Sequence, residues 1–488
     1  MATDKTTWWC LPPEIQNEIV SLLPALGGSQ LATVSRIWRS IIEPLNFAEI
    51  TLTALCLADP ESQTILFRKR NQIRYIWFRV ELKQYDCSKC WNGNQNSWDL
   101  DDIDNQFIVD ALESLFMALS AWEPRGNLVL DISIYSPSDN QHSFKYLSFC
   151  SDTSLYECPP CHPNDPDHGW FTGELINFPD EYTINLTFEK IMGEGPFDNE
   201  EAEMQWWRSL PLVPVVGVVL LRQQTRRRWK PVALANMLSR FPNMKELCYE
   251  PWREWSGAET QTDECNQTLI ESFSLTKLGR LTIFENFNES YPVVFYGCSE
   301  LRVPSAAVSQ KLAHASLHLT MLSASFMADA GHFFAACRDL WTWDKLTSLT
   351  LTSRVLTDDA DPSDINKMLR DAAAAALKMP RLDTMELWNG RWDVAMLFRY
   401  QMAQDGPIIT VRGTSELALG TTVLQAWDAV ANRHGHGKVT VQTSRIGPDG
   451  IYCHGDAIRQ LRLLTQVVRP VSLRQIIDES RIRDMWFL

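Results

Sequence analysis

The chain has 488 residues, enough for two to four ordinary domains or one small module plus one extended domain, and its 45% hydrophobic and 22% charged content argues against wholesale disorder. Its net charge of −15 disfavours non-specific binding to nucleic acid or anionic membrane, since both need excess Lys and Arg. With no apolar run near the roughly 18–20 residues that span a bilayer, and no basic-then-apolar leader in the first ten residues, a cytoplasmic or nuclear location is expected.

Residues 8–50 read as a compact helical unit. Leu11-Pro12-Pro13-Glu14 places prolines at a helix start, where a missing N–H costs nothing. Ile15, Ile19, Leu22 and Leu23 then share one helix face. Pro24 and Gly27-Gly28 break the chain. Leu31, Val34, Ile37, Trp38, Ile41 and Ile42 follow at helical spacing, and Pro44 is expected to stop that helix. The stretches Leu11-Pro12-x-Glu14-Ile15, Ile19, Leu22-Leu23 and Val34-Ser35-Arg36-x-Trp38 resemble the F-box. That resemblance implies docking to a Skp-type adaptor and, through it, to a cullin-RING ubiquitin ligase. It implies a contact or core set of Leu11, Pro12, Ile15, Ile19, Leu22, Val34 and Trp38. The turn Pro24-Ala-Leu-Gly-Gly28 departs from the polar, Asp-containing turn of the family. The competing reading is a helical hairpin that caps the larger domain.

Residues 51–212 read as the mixed start of that domain. Arg74–Leu82 and Leu128–Ile134 alternate like strands, Phe107–Leu119 reads as an amphipathic helix, and 136–180 reads as a long loop rich in Pro, Asp, Ser and Gly. From 213 to 488 a repeat emerges: apolar, two spacers, apolar, one spacer, apolar. Val215/Val218/Leu220, Met244/Leu247/Tyr249, Leu278/Leu281/Ile283, Leu319/Leu322/Ala324, Leu346/Leu349/Leu351 and Leu382/Met385/Leu387 fill it. Helical stretches are expected at 231–240, 305–315, 328–340, 362–377 and 394–402. The fold class is therefore α/β: a small helical F-box followed by an irregular leucine-rich-repeat-like solenoid with a curved parallel sheet. A doubly wound α/β domain gives a similar alternation. Strands at 408–411 and 439–441 flank a helix at 421–432, and a helix at 456–468 with the tail to Leu488 is expected to cap the end. Stretches such as Tyr249-Glu-Pro-Trp-Arg253 and Met385-Glu-Leu-Trp-Asn-Gly390 resemble an uncharacterised family of fungal F-box proteins, which implies no particular target.

Cys87-x-x-Cys90 and Cys158-x-x-Cys161 have the local spacing of zinc ligand pairs, but 67 residues separate them, so free thiols compete with a structural zinc site. No cofactor is expected. Arg222 and the run Arg226-Arg227-Arg228 form the dense basic cluster of an acidic chain. Such a cluster can bind an acidic or phosphorylated peptide, or pair with the protein's own acids near 198–203. Trp252, Trp255, Phe284, Phe287, Trp388 and Trp392 fall just beyond repeat strands, where loops often bind partners. No GxSxG elbow, HExxH helix or Walker loop is present. The expectation is a non-enzymatic substrate-recognition subunit of a Skp–cullin–F-box ligase, holding an unknown protein target through Arg222, Arg226, Arg227, Arg228, Trp252 and Trp388. The rivals are a scaffold that uses the F-box for assembly alone, and a metal-dependent enzyme using the 136–180 loop.

Overall fold

In the computed structural model, residues 8, 11–21, 36–84, 102–141, 144–153, 164–171, 174–175, 190–192, 197, 200–224, 227–253, 259–289, 303–435 and 437–480 are described. Helix α1 spans Pro13–Ser21 and α2 Arg36–Asn46. Pro44 lies inside α2 instead of ending it. It sits in the last turn, where a lost N–H removes a single bond, and the Phe47 amide still donates to Glu43 O at 2.9 Å.

From residue 49 the chain alternates strands and helices. Strand β1 is Glu49–Thr53, followed by α3 Ala54–Ala58 and α4 Pro60–Lys69; β2 is Tyr75–Glu81, followed by α5 Asp102–Ser120. Strand β3 is Leu128–Tyr135, then α6 Glu200–Ser209, β4 Val216–Leu221, α7 Pro231–Leu238, β5 Glu246–Tyr249 and α8 Glu259–Phe273. Next come β6 Arg280–Phe284, α9 Ala306–Ala315, β7 Met321–Ser325, α10 Ala330–Ala335, β8 Ser348–Thr352 and α11 Pro362–Ala376. The last part is β9 Thr384–Arg391, β10 Val394–Ala403, β11 Gly406–Gly413, α12 Thr421–Arg433, β12 Thr440–Arg445, α13 His454–Leu461 and α14 Pro470–Ser480. Local chemistry starts several helices: Ser305, Asp329 and Asp361 each accept a backbone N–H as N-caps, and Pro362 follows its cap at the first helical position.

These twelve strands form one open sheet whose spatial order is the chain order, β1 to β12. Pairing is parallel from β1 to β9, antiparallel for β9–β10 and β10–β11, and parallel again for β11–β12. A doubly wound sheet reverses its strand order at a switch point, and no reversal occurs here. One ladder row runs Ile50, Ile76, Leu130, Val219, Leu247, Leu281, Leu322, Leu349, Met385, Tyr400, Ile409, Val441. From Ile76 to Ile409 every member is buried in the continuous core between the sheet and helices α3 to α12. The five later repeat triplets fall on this inward face. The first is shifted by one: Val219 and Leu221, not Val218 and Leu220, align with Leu247 and Tyr249.

Three further expectations change. Residues 394–402 form strand β10, not a helix, joined to β9 by the two-residue turn Trp392-Asp393 with Asp393 at φ 56°. The helix expected over 328–340 is limited to α10. Residues 446–480 do not cap the sheet's end, and the tail 481–488 lies outside the described residues. Residues 446–480 lie across the face opposite the main helices, and a second apolar cluster joins Ile446, Cys453, Ala457, Ile458, Leu461, Val467, Val468, Ile476 and Ile477 to Phe284, Phe326, Trp388 and Leu397.

Candidate functional site

The N-terminal helix pair carries one outward apolar edge. Pro12 is exposed, Leu11 half-buried, and Ile15 and Ile19, one helical turn apart, are 40% and 36% exposed. Between them Gln16 turns inward, its Nε2 donating to Trp8 O (3.1 Å) and Leu11 O (2.9 Å). Trp38 is half-buried and stacks on Trp8 at 4.6 Å and 22°, so it braces the pair from within. Ile42 is buried, and a Glu43–Lys69 ion pair ties α2 to α4. Leu22 and Val34 lie outside the described residues.

The basic cluster is not a free anion-binding face. Arg222 is buried, donating from Nε to Asp131 Oδ2 at 2.8 Å and from Nη2 to Cys150 O at 3.0 Å. Arg227 is buried too, with Nη2 3.1 Å from Asp139 Oδ1. Burial pushes the Asp131 carboxyl up, and Arg222 with the hydrogen-bonded Tyr75 hydroxyl opposes that rise. The partners come from β3 and the turn after it, because β3 lies beside β4. Lys230 reaches the 198–203 stretch, pairing with Glu200 at 2.8 Å. Arg226 and Trp255 lie outside the described residues, and Arg228 sits on a two-residue strand paired with Lys190–Met192. Trp252 and Trp388 are buried rather than displayed: Trp252 Nε1 donates to Gln223 O at 3.0 Å, and Trp388 packs against Phe326.

The site that sequence reasoning missed is the second sheet face. Its central row carries Asp131, Thr282, Ser323, Thr350, Glu386 and Arg399, all buried. Residues 446–480 cross it and bond several of its polar groups, among them Thr350, Glu386 and Arg399. Glu386 pairs with Arg399 (2.8 Å) and accepts the amides of Leu464 (2.9 Å) and Thr465 (3.0 Å). Glu250 accepts the Arg469 amide (2.7 Å) and the Ser472 hydroxyl (2.5 Å); burial nonetheless pushes its carboxyl up. The Arg469 guanidinium bonds Asp152, with Nε at 2.9 Å. At the other end, His454 Nε2 lies 2.8 Å from Asn286 Oδ1, and burial drops its imidazole to about 3. No sequence motif announces this face, because backbone amides do much of the bonding.

Among the described residues no group of three or more His, Cys, Asp or Glu could hold a metal ion. Cys87, Cys90, Cys158 and Cys161 lie outside them. Cys56, Cys248, Cys265, Cys337 and Cys453 form no disulfide, whereas Cys150 is disulfide-bonded. No described helix is long and apolar enough to cross a membrane. Fold and site together define a mixed α/β chain with an open, mostly parallel sheet whose polar face is covered by its own C-terminal segment. Residues 272–469 match a family of unknown function (DUF6546), a stretch running from the end of α8 to Arg469. No curated protein matches the chain.

Proposed function

We propose that the chain is a non-enzymatic substrate-recognition subunit of a Skp–cullin–F-box ubiquitin ligase. An F-box would hold the adaptor, and through it a cullin, while a leucine-rich-repeat-like solenoid would hold a protein target. The observation that carries the reading is the outward pair Ile15 and Ile19, following Leu11-Pro12 on α1 and braced from behind by the Trp8–Trp38 stack. An exposed apolar edge on a small helix pair needs a partner to cover it. The unbroken strand order and the aligned ladder row support stacked repeats, each burying the face of its neighbour. Changing Leu11, Pro12 and Ile15 together to Ala should abolish co-purification with a recombinant Skp-type adaptor while leaving the melting temperature unchanged. Undiminished adaptor binding by that variant would overturn the proposal.

A further inference from the structure

Between α13 and α14 the chain passes through 462–469 without helix or strand pairing, and side chains on separate strands or just past their ends hold its backbone. Arg399 donates to Arg462 O at 2.5 Å, Glu386 takes the next two amides at 464 and 465, Glu250 takes the amide of 469, and Gln223 donates to Ser472 O at 2.9 Å. Every polypeptide offers these backbone groups, so the set recognises main chain as such, here following a bent path with Arg462 at φ 53°. Sequence enters at three points. Thr465 Oγ1 accepts from Thr350 at 2.9 Å, Val467 and Val468 are buried, and the Arg469 guanidinium meets Asp152. Asp152 is itself buried, and its Oδ1 has no partner among the described residues. The crossing is shallow elsewhere: Leu464 is 53% exposed.

We infer that this face is a peptide-binding groove for a partner carrying a Thr-x-aliphatic-aliphatic-Arg stretch, and that residues 462–469 occupy it as a tethered resident competitor. Tethering gives the resident an effective concentration on the order of millimolar, so an outside peptide binds the intact chain weakly. Removing the resident's arginine leaves Asp152 for the incoming one. The adaptor contact plays no part, so this groove and the ligase reading stand or fall separately.

The test uses the purified full chain and a fluorescein-labelled synthetic peptide of residues 462–474, followed by fluorescence anisotropy. R469A should bind it about tenfold more tightly than the unaltered chain, and D152A/R469A should lose that gain. Absence of binding to R469A, or equal binding by R469A and D152A/R469A, would overturn the inference. Amide hydrogen exchange keeps the question open should R469A not fold. Millimolar peptide added to the unaltered chain should speed exchange at the amides of Leu464, Thr465 and Arg469, and unchanged exchange there counts equally against the groove.

Discussion

His454 opens α13 beneath Phe284, Phe287 and Phe326, fully buried, with its ring stacked on Phe287 at 4.6 Å and 27°. Its Nε2 faces the Asn286 carbonyl oxygen and therefore carries the proton, while Nδ1 has no partner among the described residues. A second proton would place an uncompensated charge among aromatic rings, which is why burial holds the imidazole at about 3. The unfolded chain titrates near the ordinary value of about 6.5. Below that value the unfolded state takes up a proton that the folded state refuses. The histidine's contribution to stability is therefore complete above pH 6.5 and is lost as pH falls through the window down to 3. Each unit is worth about 1.4 kcal/mol, so the cost is about 2 kcal/mol at pH 5, with a ceiling of about 5 kcal/mol. Urea unfolding followed by tryptophan fluorescence at pH 7.5, 6.5, 5.5 and 5.0 measures it. H454Q keeps an amide that can bond Asn286 but cannot titrate. It should start less stable, and its deficit should shrink by about 2 kcal/mol between pH 7.5 and 5.0. Carboxyls raised by burial, such as Glu250, titrate in both proteins and drop out of the difference. Parallel curves for the two proteins would refute the argument.

R222A leaves Asp131 buried with its main counter-charge gone and should cost about 3–5 kcal/mol by urea unfolding; an unchanged midpoint would mean that the pair is not structural. Leu322→Ala empties the middle of the inward ladder row and should cost about 2–5 kcal/mol, whereas a cost under about 1 kcal/mol would contradict close packing there. A Cβ at Gly390 would stand 2.5 Å from Ala457 Cβ, so G390A should push α13 outward and speed proteolysis in the exposed turn at 447–450. G390A/A457G should restore resistance, and failure of that rescue would show that α13 does not bear on Gly390.

Local patterns were legible and long-range ones were not. The triplets from Met244 to Leu387 mark inward positions that stand opposite one another across five strands, because there apolar and polar residues alternate. In β4 the residues 218–221 are all aliphatic, so nothing local sets the phase and the reading slipped by one. Strand β10 read as a helix for a related reason. Seven successive residues from Val394 are buried on both sides of the sheet, and such a run lacks strand alternation. Helix α8 went unseen because its buried apolar residues, Leu269, Ile270 and Phe273, are confined to its last turns. Arg222 looked like a surface cation because Asp131 lies 91 residues earlier, and only strand adjacency brings them together. The covered polar face was invisible for a deeper reason: Glu250 and Glu386 are satisfied largely by main-chain N–H groups, which leave no mark on residue identity.

The C-terminal segment is held by two kinds of force that respond differently to water. Helices α13 and α14 bury Ala457, Ile458, Leu461, Ile476 and Ile477 against Trp388, Phe284 and Phe326, and that hydrophobic contact is lost outright if they leave. The stretch at 462–466 is fastened by hydrogen bonds shared with Glu386, Arg399, Thr350 and Ser348, which water can replace at a net cost of about 1 kcal/mol each, or somewhat more where a charged group takes part. Lifting that stretch exposes Val467 and Val468, whereas release of the helices exposes Ala457, Ile458, Leu461, Ile476 and Ile477 as well. Detachment of 462–469 as a loop between anchored helices is thus cheaper than release of the whole segment, and it would uncover Glu386, Glu250 and Asp152 together.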